Sequence, residues 1–438
     1  MRRPLAFALR SSLLAALLCA AASPAPAFAQ AAPDPAGGGF SFAAFGDARS
    51  MMYLPYHQEE EAQARSLVVN LFELVMPEQA ATDLVEKNVR LVYDPETHEL
   101  VQVVMPFMTS SEVSYESVDK GWVTEASVED TKLLPGVRRT MYRYMGGMWV
   151  AHELVRDVRT GRVQFLVNTG DLVWWGRQGD KPSGNPYWQL VNSAVMKQLP
   201  PPTERMRAAG LPGRVFPAAG NHEVWEDNDA EGLLTTFPYL RQFGVSDSNF
   251  TYSFDYQGAR FIFLWTGHYN YRQPTAWGSK RPTYQEQMAL LRGWMDGAKK
   301  KGIKKVFISF HNPVFARSGM GAIPDSQSPH KLIAGYAKEM EIVVFNGHVH
   351  TTEIYEVDGV KYLLLGGGGA EQDPILPGRT HIKVPDDYPK DLYWKGESPK
   401  EDYNYVIVDV RPGKPTSFTL HRFRPWSAEP FATVELYK

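Results

Sequence analysis

The chain has 438 residues, a formal net charge of -3, 44% hydrophobic and 22% charged residues, and one cysteine. These are the proportions of a globular protein with enough apolar mass for a sizeable core. They exclude an internally disulfide-stapled scaffold, a cysteine-built metal site, and binding driven by chain-wide positive charge, as to nucleic acid.

Arg2 and Arg3 precede an apolar run, Leu13 to Ala22, and Ala27-Phe28-Ala29 fits an A-x-A cleavage site. Residues 1–29 therefore read as a secretory signal peptide, and a periplasmic or secreted protein is expected. The apolar run is too short to span a bilayer, so no transmembrane segment is expected in the mature chain. Cleavage removes Arg2, Arg3 and Arg10 with no acid, which takes the net charge from -3 to -6, and it removes Cys19. Any metal must then be held by oxygen and nitrogen, which favours Zn, Mn, Fe, Mg or Ca. Residues 30–39, rich in Ala, Pro and Gly, read as a flexible tail. Residues 40–438 read as one domain.

Phe40 to Phe45 is an apolar strand ending at Gly46-Asp47-Ala48-Arg49. Glu59 to Val75 has the spacing of an amphipathic helix. Val89 to Tyr93 and Leu100 to Met105 read as strands around the turn Asp94-Pro95-Glu96-Thr97. About residues 51–136 are expected to form an insertion or cap beside the main sheet. Thr140 to Val158 resumes a helical period, and Arg162 to Asn168 is a buried strand ending in Thr169-Gly170-Asp171. Pro186 to Met206 reads as proline-interrupted helix. Arg214-Val215-Phe216 is a strand running into Gly220-Asn221-His222-Glu223.

Tyr252 to Tyr256 and Arg260 to Trp265 read as a hairpin, with His268 just beyond it. Gln285 to Lys300 is a helix with Gly302 as its stop. Lys304 to Phe310 is a strand ending in His311-Asn312-Pro313. His330 to Met340 is helical. Ile342 to Phe345 is a strand ending in Asn346-Gly347-His348-Val349-His350. Thr352 to Val357 and Lys361 to Leu365 pair around Asp358-Gly359. Tyr405 to Val410 and Ser417 to His421 close the chain. Strands alternate with helices and then dominate, which favours a layered α/β architecture with a mixed sheet.

Five apolar strands thus end in polar clusters: Asp47, Asp171, Asn221-His222, His311, and His348 with His350. In open α/β sheets the carboxyl ends of strands line the site crevice. Two carboxylates, an amide oxygen and imidazoles suit a pair of divalent or trivalent cations. Such a pair activates water and clamps the attacked and leaving oxygens of a phosphoryl group. His222, beside Asn221, is placed to protonate a leaving group or hold a phosphate oxygen. Two other features are discounted. Gly366 to Gly369 is no phosphate loop, since no Lys-Ser or Lys-Thr follows it, and a close backbone approach is expected instead. Lys299-Lys300-Lys301 with Lys304-Lys305 reads as a solvated helix end, not a nucleic-acid patch.

In order and in kind, Gly170-Asp171-Leu172-Val173, Gly220-Asn221-His222-Glu223, His311 and Gly347-His348-Val349-His350 resemble the calcineurin-like metallophosphoesterase superfamily, which includes purple acid phosphatases. The resemblance runs from Phe40 to about Pro374, the insertion aside. It implies a four-layer α/β-β/α sandwich with two mixed sheets and a dinuclear centre of Mn, Zn or Fe. It implies Asp171 as the bridging ligand, with Asn221, His311 and His348 completing the second metal. Asp47 and His350 would hold the first. His222 would act as the acid or transition-state stabiliser. The activity implied is hydrolysis of phosphate esters, mono- or di-, through a metal-bound hydroxide.

The first motif departs from the family. Asp-x-His is common there, whereas this chain has Asp47-Ala48-Arg49. Purple acid phosphatases supply a tyrosine three residues after the bridging aspartate, where this chain has Trp174. A guanidinium stays protonated and cannot coordinate a cation. At an effective dielectric of ~20, unit charges ~4 Å apart repel by about 4 kcal/mol, and a divalent ion doubles that. Arg49 therefore either points away from the metal or shares an anion with it; the expectation is that it holds substrate phosphate in a bidentate contact, with the first metal bound weakly or with extra water. His268 is a further substrate-binding candidate. The alternative is a binding or scaffold protein that keeps the fold without turnover.

Overall fold

The computed structural model describes residues 38–48, 58–72, 78–93, 98, 100–104, 150–151, 153–173, 176, 188, 191–192, 195–224, 230–266, 282–316, 322–370, 403–423 and 432–437. The signal peptide, most of the expected tail, Arg49, residues 140–149, Trp174 and His268 lie outside them.

Two six-stranded mixed sheets organise the described residues. In the first, β1 (Phe40–Phe45) is central. It runs parallel to β4 (Phe165–Asn168), which runs parallel to β5 (Val215–Pro217). On its other side follow β12 (Tyr403–Val410), β13 (Ser417–Phe423) and β14 (Ala432–Leu436), all antiparallel. In the second sheet, β7 (Ala259–Phe263), β8 (Lys305–Ser309), β9 (Glu341–Asn346) and β11 (Val360–Leu365) are parallel neighbours. Antiparallel β6 (Tyr252–Tyr256) and β10 (Thr352–Val357) form its edges. This is the α/β class with two mixed sheets that the resemblance implies.

Period-two alternation sorts the second sheet's side chains between two layers. Phe261, Phe263, Phe307 and Phe345 join the core between the sheets. Ile262, Val306, Ile308 and Val344 point the other way, into a core shared with Leu291, Met295 and Ala298 of the helix Tyr284–Lys300. That helix starts at a capping box, Thr283 with Glu286, and Gly302 just past its end adopts φ 70°. Between the sheets the packing is aromatic. Phe42 stacks on Phe165 at 5.4 Å and meets Phe261, Phe307 and Phe345 edge-on at 5.2, 5.1 and 5.9 Å. Such ring pairs add about 0.5–1.5 kcal/mol each beyond area burial.

Within the expected insertion, the helices Glu61–Phe72 and Glu78–Asn88 precede a two-stranded ribbon, β2 (Arg90–Tyr93) and β3 (Leu100–Val104), which pairs with neither large sheet. Ala64, Val85, Val89 and Leu91 nevertheless join the main core. Two expectations are corrected. The helix expected at His330 to Met340 covers only His330–Ala334, and Gly335 follows at its C-cap. Pro186 to Met206 consists, where described, of short helical pieces such as the 3₁₀ turn Met196–Gln198, as expected of proline-interrupted helix. The edge strand β14 was not anticipated. Three of the five clustered lysines pair with acids: Lys299 with Glu339, Lys301 with Asp255 and Lys305 with Glu341. Among the described residues, no helix is long and apolar enough to cross a membrane.

Candidate metal centre

Parallel pairing decides what meets what. Phe45 of β1 is level with Asn168 of β4, and Asn168 with Pro217 of β5. Asp47, Asp171 and Asn221 therefore leave the first sheet side by side. In the second sheet Ser309 is level with Phe345, so His311 and His348 also leave together. The loops then bond across the gap between sheets. The His348 N–H donates to both Asp47 oxygens, at 3.1 and 2.9 Å. The Nδ1 of His311 meets the Thr169 carbonyl at 2.9 Å.

The result is a tight cluster of side chains. Asp47, Asp171 and His311 are buried, and each offers a ligand atom within 4.8 Å of the others. The Nε2 of His311 lies 3.2 Å from Asp171 Oδ1 and 2.9 Å from Asn221 Oδ1. The Nδ1 of His348 lies 3.1 Å from the same Asn221 oxygen. His350 Nε2 stands 3.6 Å from Asp47 Oδ1, and His222 Nε2 stands 3.8 Å from Asp171 Oδ2. All six expected ligands and His222 are thus brought together. Arg49 and His268 lie outside the described residues.

The donor set fits a cation. A carbonyl accepts only, so Nδ1 of His311 carries the proton and leaves Nε2 facing Asp171 and Asn221. Burial alone would lower the His311 pKa, but the Asp171 charge and hydrogen bond, with Asp47 and Glu223, outweigh it and push it up to about 9. A field that holds a proton there is one that favours a metal cation.

Backbone geometry aims these groups. Asp47, Asp171 and His348 all adopt left-handed conformations, with φ of 50°, 56° and 72°. For a residue with a Cβ this costs about 1–2 kcal/mol, and such outliers concentrate at functional sites. Space is equally tight. A Cβ on Gly347 would sit 2.4 Å from Asp47 Oδ2. The four-glycine run is the close backbone approach expected of it: Gly368 donates to the Gly46 carbonyl at 3.0 Å.

Sequence reasoning placed Glu223 in a motif but gave it no role. It is fully buried and accepts three backbone N–H bonds: Gly220 at 2.6 Å, Asp171 at 2.8 Å and Leu172 at 2.6 Å. Burial first, then the Asp171 charge, pushes its pKa up to about 7. The only prior signal was an acid following Asn-His, and its partners are backbone groups that a sequence pattern does not display.

Residues 144–352 match the family model described as calcineurin-like phosphoesterase. The clustered residues lie inside that match, apart from Asp47. Similar solved structures include a purple acid phosphatase from yellow lupin (Lupinus luteus) seeds, at 16% identity over 66% of this chain, with a TM-score of 0.43. This chain spans 49% of the lupin chain. A dimetal phosphatase from Danio rerio is 12% identical, with 91% of this chain and 98% of that chain covered and a TM-score of 0.41. The anchor of the Plasmodium inner membrane complex is 14% identical over 66% of this chain and 84% of its own, with a TM-score of 0.41. No curated protein sequence matches the chain.

Proposed function

We propose that this protein is an exported metal-dependent phosphoesterase. The observation that carries the reading is the convergence of Asp47, Asp171, Asn221, His311 and His348 from two sheets onto one buried point. In this reading Asp171, Asn221, His311 and His348 would hold one ion, and Asp171, Asp47 and His350 would hold the other. Bound ions supply Lewis acidity toward water and the phosphoryl oxygens. The chain's residues do the rest. The Thr169 carbonyl fixes the His311 tautomer. His222, 5% exposed, has its N–H on Asp171 Oδ1 at 3.0 Å. That bond fixes the His222 backbone, and its ring Nε2 stands 3.8 Å from Asp171 Oδ2, where it would donate a proton to the departing alkoxide or hold a phosphate oxygen. Arg49, one step past Ala48, takes the substrate phosphate. Export rests on the N-terminal pattern of residues 1–29.

The test is hydrolysis of a generic phosphomonoester and a generic phosphodiester with added Mn or Zn, by wild type and His222→Ala. Turnover by wild type, reduced about 10²–10⁴-fold in the variant with metal content unchanged, supports the reading. Full metal loading with no hydrolysis of either ester replaces it with the binding or scaffold alternative. Unaltered turnover in His222→Ala refutes the role given to that residue.

A further inference from the structure

Glu223 spans the gap between the two loops that end β4 and β5. Its carboxylate gathers Asp171 N–H and Leu172 N–H from one loop and Gly220 N–H from the other. The return contact runs from His222 N–H to Asp171 Oδ1, at 3.0 Å. Successive amides can converge where the backbone turns through the left-handed region, as it does at Gly170 (φ 103°) and Asp171 (φ 56°). Such a run of amides is a concavity for an anion. Here the anion is a buried side chain of the neighbouring loop.

Resting on the phosphoesterase reading above, we propose that Glu223 is the positioning residue of the metal centre. Its carboxylate holds Asp171 in the left-handed conformation that aims Oδ1 at His311 and Oδ2 at His222. Its hydrogen bonds to the ligand residue Asp171 and to its neighbours Leu172 and Gly220 go to backbone amides. Space confirms how closely it is fitted. A Cβ on Gly220 would sit 2.2 Å from Asp171 Oδ1 and 2.9 Å from Glu223 Oε2. Glutamine in its place keeps the shape but turns an N–H₂ toward at least one of the three amides, so donor faces donor.

The test titrates the metal-free full-length mature chain with Mn²⁺ alone by calorimetry, for wild type, Glu223→Gln and Asp171→Asn. Loss of a group that orients ligands typically weakens metal binding 10–100-fold. We expect that loss in Glu223→Gln in addition to any fall in the metal-free melting temperature that the donor–donor contact brings. We also expect a lower kcat at unchanged KM, recovered by excess Mn²⁺. A merely structural role would lower the melting temperature and leave the dissociation constant alone, and a Glu223→Gln constant within twofold of wild type overturns the proposal. If Glu223→Gln does not fold, Glu223→Asp, which withdraws the carboxylate by one methylene, is judged by the same titration. Equal Mn²⁺ binding by wild type and Asp171→Asn overturns the phosphoesterase reading itself, and the proposal with it.

Discussion

Gly347→Ala tests whether the centre is held by backbone proximity. The added methyl carbon would stand 2.4 Å from Asp47 Oδ2, 2.6 Å from Thr169 Oγ1 and 3.3 Å from His311 Nδ1. Ordinary contact begins near 3.4 Å, so the Asp47 carboxylate must retreat by about 1 Å in a core packed to crystal-like density. Gly347 is not among the glycines with positive φ, so the penalty is one of space, not of backbone conformation. Overpacking of this size costs about 1–3 kcal/mol. Moving Asp47 also stretches its two bonds from the His348 N–H, so both ends of the cluster shift. A misplacement of ~1 Å near the chemistry costs on the order of 10²-fold in rate. Thermal melting and phosphoester turnover of the same preparation are the readouts. A variant that melts within 1 °C of wild type, at a resolution of about a few tenths of a kcal/mol, and turns over normally would refute the claim that Gly347 gives Asp47 its place.

Phe165→Ala removes a fully buried ring that touches Phe42, Phe216, Tyr256 and Phe261. It should destabilise by about 3–5 kcal/mol in urea unfolding, and a loss below about 1 kcal/mol would count against an aromatic core between the sheets. Burial, then the charges of Arg162 and Arg156, lowers the His421 pKa from 6.5 to about 4. The unfolded chain therefore binds the extra proton between those values, so stability is full above pH ~6.5 and falls as pH drops toward ~4. Wild type should lose more stability than His421→Gln between pH 7 and pH 4.5, and identical pH profiles would contradict this. Intact mass of the protein exported from a host expressing the full chain should correspond to a first residue of Gln30, and a mass that retains residues 1–29 would remove the signal-peptide reading.

How much was legible follows from where the information sits. The polar clusters closing β1, β4, β5, β8 and β9 were readable because each is a short, local break after an apolar run. Other features were not. The helix Glu231–Thr236 starts at Ala230, a left-handed residue with no capping side chain, so no N-cap signal exists to find. β14 is an edge strand with alternating partial burial, short and easily taken for tail. The hold of Glu223 on Asp171 joins residues 52 apart through backbone amides. The same is true of His311 and the Thr169 carbonyl, 142 apart in sequence. Side-chain identity reveals which groups are present; only the fold reveals which main-chain groups they meet.

That distinction explains the character of the centre. Its candidate ligands come from sheets that share no strand pairing, yet its position is fixed mostly by main chain. Asp47 donates its N–H to the Gly170 carbonyl at 3.0 Å, and its own carbonyl accepts from Ala370 at 2.7 Å. Its carboxylate receives the His348 N–H, and Asp171 receives that of His222. Each carboxylate is therefore oriented by amide dipoles before any cation arrives. Three left-handed residues are tolerated because these contacts over-determine them. A charged group fixed this way needs little reorganisation when charge develops beside it, which is the physical basis of electrostatic catalysis. The same rigidity is why the most informative substitutions are at Gly347 and Glu223, which carry no proposed ligand atom, and not only at the ligands themselves.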